Sequence, residues 1–118
     1  MTTRRQIFDK IKAHLLKQNA RAMSGPDCRY RGAGGLSCAV GCIISDEHYK
    51  PRIEGRSVKK KDVLEAVRKS NKGLHIDNVT TRAMLQELQN IHDVVKVDHW
   101  PTRLDEMERE YFKPKRSK

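Results

Sequence analysis

Near the start of the chain apolar residues recur at helical spacing: Ile7, Phe8, Ile11, Leu15 and Ala22 share a stripe that only Asn19 breaks. Thr3 followed three residues on by Gln6 is a capping-box pattern, so a first helix is predicted from there to about Ala22. Its other face sets Arg4, Arg5, Lys10, Lys12, Lys17 and Arg21 against Asp9. Ser24-Gly25-Pro26-Asp27 ends it, because proline cannot continue a helix and glycine accepts a left-handed cap. The pattern then changes. Cys28 to Arg31 reads as a strand, Gly32-Ala33-Gly34-Gly35 as a turn, and Leu36 to Val40 as a returning strand. This predicts a β-hairpin with Gly34 or Gly35 left-handed, since positive φ costs glycine little. Beyond Gly41, the run Cys42-Ile43-Ile44 is too short for its periodicity to separate buried strand from helix turn.

Asp46 to Tyr49 fits one helical turn before Pro51, and Arg52 to Arg56 is a loop around Gly55. Ser57 is a plausible N-cap for a second helix marked by Val58, Val63, Leu64, Ala66 and Val67 and closed at Asn71-Lys72-Gly73. Leu74-His75-Ile76 is a short apolar link with the character of an edge strand. Asp77 then caps a third helix with Val79, Met84, Leu88, Ile91 and Val95 facing inward. A fourth follows Pro101, with Leu104, Met107 and Tyr111 toward the core. The sum is an α+β fold, about four helices packed on a small β-hairpin in one domain over residues 1–112. Residues 113–118 carry no apolar side chain and are expected to be a disordered basic tail.

Composition changes this picture through charge. The 118 residues are 36% hydrophobic and 34% charged, with a net charge of +10 that attracts phosphates and acidic proteins. The charge is polarised: residues 1–27 carry +4, 28–57 carry +2, 58–73 carry +4, 74–100 carry −2 and 101–118 carry +2. No run approaches the roughly 18 apolar residues that span a bilayer, and the first residues lack a signal-peptide core, so a cytoplasmic protein is expected. An odd count of three cysteines points to reduced, structural thiols rather than a secreted disulfide framework.

Each candidate constellation competes with a plainer reading. Cys28, Cys38, Cys42 and His48 offer four soft ligands for zinc, but nine, three and five residues intervene and no CxxC is present. Small buried thiols explain the cysteines more simply, so no metal or cofactor is expected. The glycine cluster lacks GxxxxGK[ST], and a GxGxxG register begun at Gly32 meets Ser37 in place of the third glycine. Arg29 and Arg31, alternate residues of the expected strand, would share a face and could hold a phosphate or an acidic side chain beside that turn. His92-Asp93 looks like half of a catalytic pair, yet neighbours on a helix diverge and no nucleophile is evident in sequence. Trp100 suits a core or docking anchor better than a stacking platform. No nucleophile-base, paired-carboxylate or metal set survives, so an enzyme is not expected.

The string YRGAGGLSCAVGCIISDEHY, continued by Glu54-Gly55, by Leu88-Gln89-Asn90-Ile91-His92-Asp93 and by Trp100, resembles a family of small bacteriophage and proteobacterial proteins. That family's pattern runs YRG, a glycine turn, CAVGC or CAIGC, DE, EG, LQ, HD and a Trp. This chain departs from it with Ser45 in place of a proline and with the basic run Lys59-Lys60-Lys61. The resemblance implies a phage-type origin and no mechanism. Three functions fit these readings. The first is a non-enzymatic accessory protein that binds an anionic partner, most simply nucleic acid, through Arg4, Arg5, Arg29, Arg31, Lys59, Lys60, Lys61, Lys115 and Arg116. The second is an inhibitor whose same basic surface docks on an acidic host protein, a defence or transcription component. The third is a small-nucleotide module built on the glycine turn.

Overall fold

The structure, a computed structural model, describes residues 2–24 and 27–112. The basic tail expected at 113–118 therefore lies outside the described residues, as does the Gly25-Pro26 pair. The architecture is helical, with α1 (Arg4–Gln18), α2 (Lys61–Ser70), α3 (Val79–Val94) and α4 (Trp100–Phe112). Extended pairing among the described residues is confined to the two-residue β1 (Met23–Ser24) and β2 (Asp27–Cys28) and a single bridge between Arg31 and Ser37.

The α+β expectation is therefore wrong. The segment expected to form a hairpin at Cys28 to Val40 does hold itself by Gly32 N–H to Leu36 O at 2.9 Å and Cys38 N–H to Tyr30 O at 3.1 Å. It propagates no ladder, because Ala33–Gly35 tightens into a 3₁₀ turn and the chain after Cys38 coils. Cys42 N–H reaches back to Cys38 O at 3.1 Å, and Ile43 N–H to Val40 O at 3.1 Å and Ile44 N–H to Gly41 O at 3.2 Å then form a second 3₁₀ turn at Gly41–Ile43. Cys38, Ala39, Val40, Gly41, Ile43 and Ile44 are all buried, so the most apolar stretch serves as a plug between helices rather than a sheet. The Leu74-His75-Ile76 link is likewise a turn, with Ile76 N–H donating to Leu74 O at 3.0 Å.

Glycine permits this coil in two ways. Gly34 and Gly35 both take positive φ, 72° and 78°. At Gly41 the requirement is space: a Cβ there would stand 2.0 Å from the carbonyl oxygen of Tyr30.

The helices begin and end for local reasons. The Thr3 hydroxyl accepts from Gln6 N–H at 3.1 Å while Gln6 Oε1 accepts from Thr3 N–H at 2.9 Å, completing the capping box. α1 stops well before Ala22, because Asn19 adopts the left-handed conformation at φ 51° and closes the last turn onto Leu15 O. Asn78, one residue past the expected Asp77, caps α3, its Oδ1 accepting from Thr80 N–H at 2.8 Å and Thr81 N–H at 3.2 Å. α2 starts at Lys61, three residues later than Val58, because Ser57 Oγ accepts from Lys59 N–H at 3.1 Å and holds the chain in a preceding turn.

Ile7, Phe8, Ile11 and Leu15 of α1 meet Met84, Leu85, Leu88 and Ile91 of α3 and Trp100, Leu104 and Met107 of α4 in one core. α1, α3 and α4 pack on one another, and the Gly41–Ile43 turn packs on α1. α2 is peripheral: it buries Val63, Ala66 and Val67 and is tied to the plug by Asn71 Nδ2–H to Ile43 O at 2.8 Å.

Candidate functional site

Two polar networks run through this helical frame, and between them they join Tyr30, Arg31, Asp46, Tyr49 and Glu54 with Gln89, His92, Asp93 and Trp100 of the residues that carry the sequence resemblance. The first centres on Glu54, whose side chain is 8% exposed. Its carboxylate accepts from Tyr30 N–H at 2.8 Å, Arg31 N–H at 3.0 Å and the Tyr49 hydroxyl at 2.6 Å, with Arg29 Nε 3.7 Å away. Arg31 turns to Asp46 at 2.8 Å, donates to Ile44 O at 3.0 Å, and lies over the Tyr49 ring at 4.3 Å. Burial and the Glu54 carboxylate together push the Tyr49 hydroxyl pKa up. The tie needs no periodicity in the sequence, which is why only the resemblance string joins these residues beforehand.

The second network pins the plug and the Arg21-Ala22 pair to α3. Val40 N–H donates to Gln89 Oε1 at 3.1 Å, Gln89 Nε2–H to Asp93 Oδ1 at 3.0 Å, and His92 Nδ1 shares a 2.6 Å bond with the same oxygen. Ala22 N–H donates to His92 Nε2 at 2.9 Å. That contact fixes the ring as the Nδ1–H tautomer, since the amide leaves Nε2 only the acceptor role. Arg21 donates to His92 O and Val95 O at 3.0 and 2.7 Å, and Trp100 Nε1–H to Val95 O at 3.1 Å. His92 and Asp93 are thus neighbours on a helix that do meet, contrary to the expectation that they diverge.

Cys28 joins this pair: its sulfur, a ring nitrogen of His92 and a carboxylate oxygen of Asp93 all lie within 4.8 Å of one another. Beside them opens a cleft of about 300 Å³, lined by Cys28, Arg29, Glu54, Arg56, Gln89 and Asp93. The trio has the donor types of a zinc site. To ligate through Nδ1, however, His92 would have to carry its proton on Nε2, facing the Ala22 N–H in a buried position, donor against donor. The same amide occupies the lone pair that a general base toward Cys28 would use. The geometry therefore favours a structural lock over a metal centre or a catalytic triad.

The four zinc ligands considered from sequence are not brought together. The Cys38 sulfur accepts from Gly41 N–H at 3.2 Å, and burial pushes its thiol far up. The Cys42 thiol donates to Ala39 O at 3.1 Å and is pushed up to about 12, chiefly by burial. His48 faces Glu47 at 3.9 Å. Neither Cys38 nor Cys42 is in a disulfide.

The basic residues divide by what they touch. Arg4 donates to the α3 cap Asn78 at 3.2 Å. Arg5 pairs with Asp9 at 3.2 Å and with Glu108 at 2.5 Å, across to α4. Arg29 and Arg31 belong to the Glu54 network described above. Lys59, Lys60 and Lys61 are exposed and, among the described residues, make no ion pair. Lys115 and Arg116 lie outside the described residues.

Nor do Arg4 and Arg5 extend the lysine patch. Thr2 N–H donates to Lys72 O at 2.8 Å, which sets the start of α1 beside the far end of α2, about 15 Å along the helix from Lys61. Lys50, Arg52 and Lys69, which the sequence reading passed over, line a cleft of about 190 Å³ along α2 together with Asp62 and Glu65. The available signal was local charge: residues 50–72 hold nine basic against three acidic side chains, +6 of the chain's +10.

No helix among the described residues is long and apolar enough to cross a membrane. In comparisons with protein-family models, curated proteins and solved structures, nothing matches the chain.

Proposed function

We propose that this is a phage-type, non-enzymatic accessory protein that binds an anionic partner, nucleic acid, along the basic edge formed by α2 and the turn before it. The observation that carries the reading is the contrast between occupied and unoccupied cations. Arg5 and Arg31 are held by carboxylates of their own chain and Arg29 lies beside one, whereas Lys59, Lys60 and Lys61 stand exposed in the most basic segment without an ion pair among the described residues. A cation already paired has little left to offer an external phosphate, while an unpaired lysine releases a counterion from one. The dipole at the start of α2 disfavours cations there, so the local helix gains nothing from the run.

Binding should then fall steeply with salt, the log–log slope scaling at about −0.9 per neutralised phosphate on a DNA duplex. Fluorescence anisotropy of the full chain with labelled nucleic acid gives that slope. Replacing Lys59, Lys60 and Lys61 together with alanine should flatten it by roughly two to three units. Absence of binding even at about 50 mM salt, where phosphate contacts are strongest, refutes the reading. The same lysines would then be assigned to an acidic host-protein surface, detectable as a stoichiometric, nuclease-resistant species in a pull-down.

A further inference from the structure

Resting on that reading, we infer that the nucleic acid is double-stranded and is gripped through its phosphate backbones, without base readout. The chain has six aromatic residues, and none of their rings is free on the surface. Phe8, Tyr30 and Trp100 are buried. The Tyr49 ring lies under the Arg31 guanidinium, the Tyr111 hydroxyl donates to Glu87 at 3.0 Å, and Phe112 is half-buried under Arg5 at 4.9 Å. Proteins that hold single strands irrespective of sequence rely on exposed rings on which successive bases stack. This surface presents none.

What the run Lys59-Lys60-Lys61 at the start of α2 presents instead is lysine, a point charge without the planar fork that reads base edges. α2 has no Asn or Gln, and its one arginine, Arg68, is turned back onto Glu65 by bonds of 3.1 and 2.5 Å. A surface of that kind responds to charge density alone. Duplex DNA carries a charge every 1.7 Å or so of axis, and each phosphate neutralised releases about 0.9 counterion against about 0.7 on a single strand. The duplex is therefore the stronger ligand, and its sequence is immaterial.

The test is anisotropy with the full chain against four labelled probes of equal length: a DNA duplex, an RNA duplex of the same sequence, and one single strand of each. At about 50 mM salt either duplex should bind on the order of tenfold tighter than its single strand, and permuting the duplex sequence should leave affinity unchanged. Comparison of the two duplexes shows which helix form is preferred. A single strand bound as tightly as its duplex, or a duplex affinity that follows sequence, overturns this inference while sparing the nucleic-acid reading. Failure to bind any of the four refutes both.

Discussion

At Gly41 and Gly35 the same residue type answers two different demands, and the difference is measurable. A methyl group at Gly41 would meet the Tyr30 backbone carbonyl at 2.0 Å, and neither partner is the flexible end of a side chain. At Gly35 nothing stands within 4 Å of an added Cβ and only the φ of 78° resists it. Gly35→Ala should therefore destabilise by about 1 kcal/mol. Gly41→Ala should lose several times that, or fail to fold, because backbone must move. Urea unfolding of both variants checks the order, and equal losses would contradict the close approach at Gly41. The positive φ was legible in a glycine cluster between apolar runs. The close approach was not, since it depends on which backbone passes over residue 41, a question of tertiary packing. His92 is similar: its helix position was readable, but its partner Ala22 is 70 residues away in sequence and Cys28 lies nearly as far.

At the scale of elements, ends and clamps decide more than propensity. Asn78→Ala removes the acceptor for two amides of α3 and for Arg4 and should lower stability by about 1 kcal/mol, whereas Asp77→Ala, at the position read as the cap from sequence, should be nearly neutral. Thermal unfolding of the pair separates the two assignments. Between α1 and α4, Glu108 accepts from Lys12 at 2.7 Å and Arg5 at 2.5 Å, and these bonds, Lys12 first, hold its carboxyl below the ordinary carboxylate value. A carboxyl lowered in the folded state stabilises above its unfolded pKa, and that contribution disappears as pH falls through the folded value. The melting-temperature gap between the wild type and Glu108→Gln should thus be present at neutral pH and close below about pH 4. A gap that persists unchanged in acid would show that the glutamine loses packing rather than charge. All four helices were legible from apolar spacing, with starts displaced by one to three residues wherever a cap lay one position away or a turn came first. The hairpin was misread because successive residues from Cys38 to Gly41, and then Ile43 and Ile44, are buried, and continuous burial erases the alternation by which a strand is distinguished from a coil.

For the whole molecule the question is where a net charge of +10 resides once internal pairs are set aside. Composition shows an excess, but only the fold tells that Arg5 and Arg31 face carboxylates on distant segments, Glu108 and Asp46, so the candidate surface contracts from a dispersed list to the edge around α2. That contraction makes opposite demands on two variants. Arg31→Ala removes a bond to Ile44 O, an ion pair with Asp46 and a cation over the Tyr49 ring, so it should lower the melting temperature by several degrees and leave the salt slope of binding almost unaltered. The Lys59, Lys60, Lys61 triple alanine variant should do the reverse, because exposed side chains that make no ion pair among the described residues contribute little to folding. Measured together, melting and salt-dependent anisotropy place each cation in one class or the other. A triple variant that melts early, or an Arg31→Ala variant that flattens the slope as much as the lysines do, would return Arg31 to the binding surface and undo the division drawn from the ion pairs.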